Sequence, residues 1–358
     1  MLARVSHLAS DPQSPQTQSS QTRYPQTHSD AARRRKPRRL GLYLPWGALV
    51  VFAAGWSLTW LWMMGQAQSR LDAGAAALRK AGWTVAWQGR HIGGYPFRLD
   101  VDFSALRLAD PSGWAVTLPA LKSEAFAFAP ANWVFYVPNG LTFTRPDGGP
   151  VNVTAGALRA SINTWTETPP RISLEGDDLT FAAPPGAKPF SLASAKSLQF
   201  YTRAGPGQQA ALFMGVDGGA ALPGSWVSQI AAGKPVSIKL DAIISHTDAL
   251  QGDNWRALIS NWSAKGGALD VHQLTLTAGD AALDARKGGV AVADDGRLEG
   301  ILEATLRDKG RVLAVAQGGK PPPADPGPGN NALDLRLTFR DGETWIGPLK
   351  LAPAPRAY

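Results

Sequence analysis

Hydrophobic and polar positions follow two different patterns along this chain. From Leu40 to Ser69 no residue is charged, and the stretch is bounded by Arg39 and Arg70. After residue 83, apolar residues alternate with polar ones instead, most clearly at Phe97, Leu99, Val101 and Phe103. The first pattern predicts a helix that crosses a bilayer, and the second predicts half-buried strands. The sequence therefore predicts a mainly β protein: an N-terminal transmembrane helix followed by a curved, mostly antiparallel multi-strand β domain with a few short helices.

The apolar stretch is long enough to cross a membrane. Its centre, Leu42 to Gly65, would form a helix of about 24 residues and about 36 Å, against a hydrocarbon core of about 30 Å. Trp46 lies near one end, and Trp60 and Trp62 near the other, where indole rings favour the headgroup zone. A buried helix of a soluble core is the alternative, but such helices rarely run this long without a charge.

A basic cluster precedes the apolar stretch and predicts its orientation. Its members are Arg33, Arg34, Arg35, Lys36, Arg38 and Arg39. Because positive residues stay on the cytoplasmic side, the N-terminus is predicted inside and the chain after Arg70 outside, in the periplasm of a bacterial inner membrane. The apolar core is longer than that of a cleaved signal peptide, and the cleavage candidate at residues 65–68 is weak, so we expect an uncleaved signal anchor.

The predicted organisation has four parts. Residues 1–39, rich in Gln, Ser, Thr and Pro, form a disordered basic cytoplasmic tail. Residues 40–65 form the anchor, 66–82 a juxtamembrane helix that continues the anchor or docks on the first sheet, and 83–358 the periplasmic β-rich domain. The loop at 318–331, with several Pro and Gly residues, is not expected to pair with a strand.

The net charge of +8 belongs mostly to the tail. Residues 1–40 hold 8 of the 36 basic and 2 of the 28 acidic residues, which leaves 28 basic against 26 acidic residues, about +2, for the rest. This distribution favours contact with anionic lipid headgroups and argues against nucleic acid as a partner.

Most strands are predicted between turn signals rich in Pro, Gly, Asn and Asp. The predicted strands are 84–88, 97–108 with an irregularity at Ala105, 114–118, 122–128, 133–137, 141–144, 151–162, 171–181, 196–203, 210–217, 236–240, 269–276 with a phase shift, 283–285, 290–292, 298–306 and 333–339. Turns are predicted at residues 279–280, 288–289 and 294–296, and short helices at residues 225–232 and 254–264.

The segment Gly94-Tyr95-Pro96-Phe97-Arg98 interrupts the strand pattern. Gly94 permits a sharp turn, Pro96 donates no backbone hydrogen bond and pushes Tyr95 toward an extended conformation, and Phe97 is expected to begin the buried row. We interpret the segment as a bend that seats the first long strand. The alternative is that Tyr95 and Arg98 contact a lipid headgroup or a partner near the membrane.

This segment, together with residues 83–106, 254–306 and the ending 339–349, resembles a proteobacterial family called domain of unknown function 2125. The family's signature is Gly-aromatic-Pro-Phe-Arg, here Gly94 to Arg98. The resemblance implies a membrane-anchored β protein and supplies no activity. The meander from Gly267 to Arg307 more loosely resembles AsmA-like envelope proteins, which implies an inner-membrane anchor and an apolar concave face that handles lipid.

Few residues are candidates for catalysis or for binding a metal or cofactor. Cysteine is absent, which excludes disulfides and thiolate catalysis, and no two of His91, His246 and His272 have metal-ligand spacing. Asp100 and Asp102 share a strand face but are expected to form a polar outer surface. We therefore predict no catalytic, metal or cofactor-binding residue and no cofactor.

The sequence leaves three functions open. The first is a non-enzymatic envelope protein that handles lipid or maintains the envelope through an apolar β groove, with the bilayer, a lipid ligand and envelope proteins as candidate partners. The second is a scaffold with a fully packed β core in an envelope complex. The third, an enzyme, is the least favoured because no convergent polar set is visible.

Overall fold

A computed structural model describes residues 40–164, 167, 169–316, 318–319 and 332–358. The chain divides into two compact units, residues up to Val51 and the larger unit from Phe52 to Tyr358. The predicted tail and the six residues of its basic cluster lie outside the described residues, as does most of the predicted loop at 318–331.

A single helix, α1 (Leu40–Lys80), includes both the predicted anchor and the predicted juxtamembrane helix. It is long and apolar enough to span a membrane. The part after residue 65 continues the apolar helix and also contacts the first strands, through Asp72 and Arg79. The helix ends where Gly82 adopts a positive φ of 89° and the chain turns into the sheet.

The rest of the described chain is mainly β, which confirms the predicted fold class. Eighteen strands form one antiparallel sheet. The strands are β1 (Thr84–Ala86), β2 (Gly89–Gly93), β3 (Arg98–Ala109), β4 (Ala115–Phe126), β5 (Ala129–Tyr136), β6 (Leu141–Arg145), β7 (Gly149–Thr154), β8 (Ala157–Asn163), β9 (Arg171–Ala182), β10 (Leu192–Ala204), β11 (Ala210–Ala221), β12 (Val236–Ile244), β13 (Ala268–Ala278), β14 (Ala281–Val292), β15 (Leu298–Arg307), β16 (Leu333–Arg340), β17 (Glu343–Ile346) and β18 (Leu349–Pro353).

Strand pairing mostly follows chain order. β1 and β2 both pair with β3, which pairs with β4. β4 then pairs with two short strands, β5 and β6, which lead through β8 and β7 respectively to β9. From β9 to β18 each strand pairs with the next. This is a meander, in which strands that are neighbours along the chain pair antiparallel.

Short helices cover parts of the sheet. They are α2 (Trp226–Ala231), α3 (Trp255–Ala264) and α4 (Lys309–Ala316). The first two were predicted, and each begins at a side chain that accepts a backbone hydrogen bond, Ser225 for α2 and Asn254 for α3. The α4 helix was not predicted.

The apolar faces of the strands are buried in several small clusters. The largest, on β12 to β18, includes Val271, Leu302, Leu337 and Phe339. A second lies on β7, β9 and β10, and three more lie beneath the short helices. Because small residues such as Ala242 and Ala285 are among the most buried, the clusters pack the strands closely.

Two irregularities predicted from the sequence are confirmed. Ala105 has a positive φ of 49°, and the pairing of β3 with β4 skips this residue. In β13 the pairing with β12 shifts at His272, which explains why the apolar alternation resumes in another phase after Val271. At His272 the extra residue is a β-bulge, which turns every following side chain of β13 to the other face. At Ala105 the register of β3 against β4 is the same on both sides, and the positive φ of Ala105 marks the irregularity.

Other predicted strand boundaries are wrong. The predicted strand 151–162 is two strands, β7 and β8, and the predicted strands 114–118 and 122–128 form the single strand β4. Gly288 and Gly289 lie inside β14 and do not form a turn. A Cβ on Gly288 would lie 2.2 Å from the carbonyl oxygen of Ile301, so glycine is required there by the close approach of β15.

Candidate functional site

The predicted motif Gly94–Arg98 lies against one face of α1. We call the contact between this turn and Trp56, Ser57 and Trp60 the helix clamp. The turn joins β2 to β3, and the backbone N–H of Arg98 donates to the carbonyl of Gly94 at 2.8 Å. All the residues of the clamp belong to the unit that begins at Phe52.

Two indole groups of α1 bind the backbone of the turn. Trp56 Nε1 donates to the carbonyl oxygen of Pro96 at 2.8 Å, and Trp60 Nε1 donates to that of Arg98 at 2.8 Å. The two tryptophans are four residues apart and therefore lie on the same helix face. They give these two carbonyl groups a hydrogen-bond donor, and they set the position of the turn along the helix.

Tyr95 completes the contact. Its ring meets Trp60 edge to face, with centroids 5.4 Å apart, and its hydroxyl lies 2.8 Å from Ser57 Oγ. Because Ser57 already donates to the carbonyl of Ala53, the Tyr95 hydroxyl is the donor in this pair. Trp60 is only 7% exposed as a result.

Gly94 has a backbone conformation that side chains rarely adopt, with φ of 98°. A Cβ at this position would lie 2.7 Å from the carbonyl oxygen of Arg98 and 3.0 Å from Cγ of Asp100. The predicted sharp turn at Gly94 is therefore present, and it requires glycine for both conformation and space. The Tyr95–Pro96 peptide bond is cis.

Arg98 connects the turn to neighbouring carboxylates. Its guanidinium lies 2.8 Å from Glu124 on β4 and 3.3 Å from Asp100 on its own strand. Asp100 is paired with Arg98, but its side chain is only 25% exposed and its Oδ1 is buried. About half of the Arg98 side chain stays exposed, so these pairs contribute little stability and mainly balance charge.

A second contact joins the C-terminal part of α1 to β1 and β2. Arg90 forms a two-pronged ion pair with Asp72, at 2.6 and 3.3 Å. Arg79 donates twice to the carbonyl of Val85, and both arginines lie over the ring of Trp87. The helix is thus attached at two levels, which are about three turns apart at their closest residues, Trp60 and Asp72.

The Asp72–Arg90 pair predicts a pH dependence. The hydrogen bond from Arg90 lowers the pKa of Asp72 below its ordinary value, because it favours the ionised carboxylate. Since the folded-state pKa is the lower one, the pair contributes stability above the unfolded pKa of about 4 and loses it as pH falls through the folded-state pKa. We expect Arg90→Met to return the pKa of Asp72 to the ordinary range in a carbon-13 NMR titration of its carboxyl group, whereas Arg159→Met should not. An unchanged titration in Arg90→Met would contradict the pairing.

Large aromatic side chains are exposed beside the clamp. Phe97 is 63% exposed, Phe126 54% and Phe128 71%, and the last two rings stack at 5.0 Å. We call these three residues the aromatic tip. The prediction that Phe97 begins the buried row is wrong: the row begins at Leu99, because the backbone of residues 96–98 is held by α1 and the Phe97 ring points away from the sheet's core.

Elsewhere, a cavity on the sheet has a polar lining. It has a volume of about 940 Å³ and lies on β14 to β16. Its charged lining residues are Asp284, Arg286, Glu303, Arg307, Asp334 and Arg336. Such a surface does not suit acyl chains, so the apolar groove expected from the sequence is not found at this cavity.

Within the described ranges, no group of three His, Asp or Glu side chains is arranged to hold a metal ion. The predicted absence of catalytic, metal and cofactor residues stays a prediction. His272 is about half exposed and lies 3.7 Å from Asp270, at the bulge in β13.

The sequence identified the motif but missed its partners on the helix. Trp60 was interpreted only as an interfacial residue, and Trp56 and Ser57 were not singled out. The spacing of four residues between Trp56 and Trp60 indicates that both lie on one face of the helix. This spacing was overlooked because hydropathy does not distinguish a helix face that contacts lipid from one that contacts protein.

Fold and site together define a β-rich protein in which one long apolar helix is fastened to the sheet through the helix clamp. A family described as uncharacterized protein conserved in bacteria (DUF2125) matches residues 60–355, and the chain belongs to this family. The match begins at Trp60 and includes the motif turn. Comparisons with curated proteins and with solved structures found no match.

The family predicted from the sequence is therefore confirmed. That Gly94–Arg98 is the family's signature stays a prediction, as does the looser resemblance to AsmA-like proteins.

Proposed function

We propose that this protein is anchored in the bacterial inner membrane by α1 and holds its β domain at the periplasmic face, where it maintains the envelope by surface contact and without catalysis. The helix clamp supports this proposal most directly. A domain that only needed tethering would need a flexible linker, whereas here Trp56 and Trp60 bind the domain directly to the helix. From Phe52 onward, the helix and the sheet belong to one compact unit.

Lipid is the partner that we propose for this body. The exposed aromatic tip supports lipid contact, because a cluster of exposed aromatic rings of this kind marks an interaction surface. An apolar groove inside the sheet stays a prediction, since the charged cavity on β14 to β16 does not supply one.

A scaffold in an envelope complex is the second candidate. The close packing of Ala242, Ala285 and Leu302 in the largest cluster favours it, because a filled core leaves no room for a ligand between strands. Extraction of the purified full chain for bound lipid distinguishes the two. Specifically retained lipid supports lipid handling, and lipid-free protein with no affinity for acyl-chain probes supports the scaffold.

Orientation provides the first test of the proposed function. We expect alkaline phosphatase fused after Tyr358 to be active and green fluorescent protein at the same site to be dark, because the basic cluster keeps the N-terminus inside. Replacing Arg33, Arg34, Arg35, Lys36, Arg38 and Arg39 by glutamine should reduce phosphatase activity.

The control replaces Arg4 and Arg23, which are farther from residue 40 in sequence, and should leave the phosphatase activity unchanged. Fluorescence of the C-terminal fusion with an inactive phosphatase would contradict the proposed topology.

A further inference from the structure

We propose that the aromatic tip, Phe97, Phe126 and Phe128, is inserted among lipid acyl chains in the outer half of the bilayer, beside α1. This inference rests on the proposed membrane anchoring and adds a second, previously unassigned site of membrane contact. The occupant is the bilayer that surrounds the protein's own helix.

The length of the helix before the clamp is the first argument. Residues 41–55 of α1 are all exposed, and the covered face of the helix begins at Trp56. Fifteen residues span about 22 Å at 1.5 Å each, less than a hydrocarbon core of about 30 Å. The membrane must therefore reach beyond Trp56, to the level of about Trp60. The β domain binds α1 at this same level.

The position of the tip is the second argument. Phe97 lies between Pro96 and Arg98, whose carbonyls accept the hydrogen bonds of the two tryptophans. The backbone N–H of Ala127 donates to the carbonyl of Phe97 at 2.9 Å. This bond holds the turn between β4 and β5, with Phe126 and Phe128, next to the clamp. The three rings thus lie at the height of the clamp.

Exposed apolar side chains on both elements are the third argument. On α1, Leu58, Leu61 and Trp62 are exposed next in sequence to the clamp residues. On the sheet, Phe97, Phe126 and Phe128 are exposed, and the last two rings stack. Lipid is the medium that covers the exposed apolar side chains of a transmembrane helix, and we infer the same medium for the aromatic tip.

Polar groups at the clamp are arranged in a way that suits this depth. The indole N–H groups of Trp56 and Trp60 are bound to carbonyls, which removes unpaired donors from an apolar medium. Arg98 is paired with Glu124 and Asp100, and its long side chain can direct this charge to the headgroup level. Aromatic rings with a charged group nearby are typical of the membrane interface.

The test uses the absence of cysteine from the chain. The full-length Phe128→Cys protein is labelled with nitrobenzoxadiazole and reconstituted into vesicles of phosphatidylethanolamine with a minority of phosphatidylglycerol. A nitroxide on the upper acyl chain serves as quencher. The matched control is Lys80→Cys, an exposed residue of α1 that lies 20 positions after Trp60, about 30 Å farther along the helix. Phe97→Cys supplies a second probe of the tip.

We expect the labels at positions 128 and 97 to be quenched at least about twofold more than the label at position 80, because interfacial groups penetrate about 5–10 Å below the headgroups. Equal, weak quenching at all three positions in protein that floats with the vesicles would overturn the insertion and leave the anchoring intact. Equal, strong quenching at all three would also overturn it, because the whole domain would then lie on the membrane. Protein that does not float with the vesicles would overturn the anchoring itself.

Discussion

Replacement of Trp60 by alanine is expected to open the helix clamp and to give the largest loss of stability of any single change proposed for α1. Trp60 is 7% exposed, donates to the carbonyl of Arg98 and meets the ring of Tyr95. Truncation of a buried tryptophan to alanine costs about 3–5 kcal/mol. We expect about 3 kcal/mol, the low end of that range, because lipid beside the helix can fill part of the space left by the ring.

Amide hydrogen exchange measures this effect. The N–H groups of Arg98 and Ala127 are bonded inside and beside the turn, so their protection reports whether it is closed. A loss of 3 kcal/mol corresponds to about 100-fold faster exchange when exchange requires opening of the clamp. Trp60→Phe keeps the ring body but leaves the carbonyl of Arg98 without its donor, for a smaller cost of about 1–3 kcal/mol.

Trp62→Ala is the control for this prediction. Trp62 is two residues away on α1 and is 65% exposed, so its removal should leave the protection of Arg98 and Ala127 unchanged. The ranking should therefore be Trp60→Ala, then Trp60→Phe, then Trp62→Ala. Similar exchange in the two alanine variants would contradict the role given to Trp60.

Replacement of Gly94 by alanine is the second change with a large expected effect. The new Cβ would lie 2.7 Å from the carbonyl oxygen of Arg98, and the φ of 98° is unfavourable for alanine. Strained backbone conformations and overpacking each cost about 1–3 kcal/mol, so we expect a loss of about 3 kcal/mol in the free energy of unfolding. Urea unfolding of the full chain in mild detergent, followed by near-ultraviolet circular dichroism, measures it.

Gly186→Ala separates the two causes. Gly186 has a similar φ of 86°, but a Cβ there would meet no atom within 4 Å. Gly186→Ala should therefore lower the free energy of unfolding only by the cost of the backbone conformation, about 1 kcal/mol. If Gly94→Ala were no more destabilising than Gly186→Ala, the close approach of the turn to Arg98 would not matter for stability.

Local patterns in the sequence predicted the fold class well. The uncharged stretch after Arg39 predicted a long apolar helix, and alternation predicted most strands. The irregularities at Ala105 and His272 were visible because the alternation of apolar and polar residues changes phase at each of them. The turn at Gly94 was predicted for the same local reason, since a glycine before Tyr-Pro permits a reversal that other residues oppose.

Long-range relations were not predictable in the same way. Hydropathy does not distinguish Trp56 and Trp60 from Trp62. The indoles of Trp56 and Trp60 bind the turn before β3, whereas Trp62 is exposed. Phe97 continued a regular alternation and was therefore predicted to be buried, but burial depends on where the neighbouring helix holds the backbone. Gly288 and Gly289 gave a turn signal, whereas both lie inside β14 and Gly288 lets β15 approach closely. In each case the deciding contact comes from a segment distant in sequence.

Photo-crosslinking in the membranes of living cells tests the central claim most directly, namely that the motif turn is clamped to the apolar helix. p-Benzoylphenylalanine is placed at Tyr95, whose ring lies against Trp60, or, as a control, at Tyr136, a partly exposed residue of β5. After irradiation, the structure predicts that position 95 is joined to a peptide of α1 containing Trp56 to Trp60, and that position 136 is not. Crosslinks from position 95 only to other proteins or to lipid, with none to α1, would contradict the clamp.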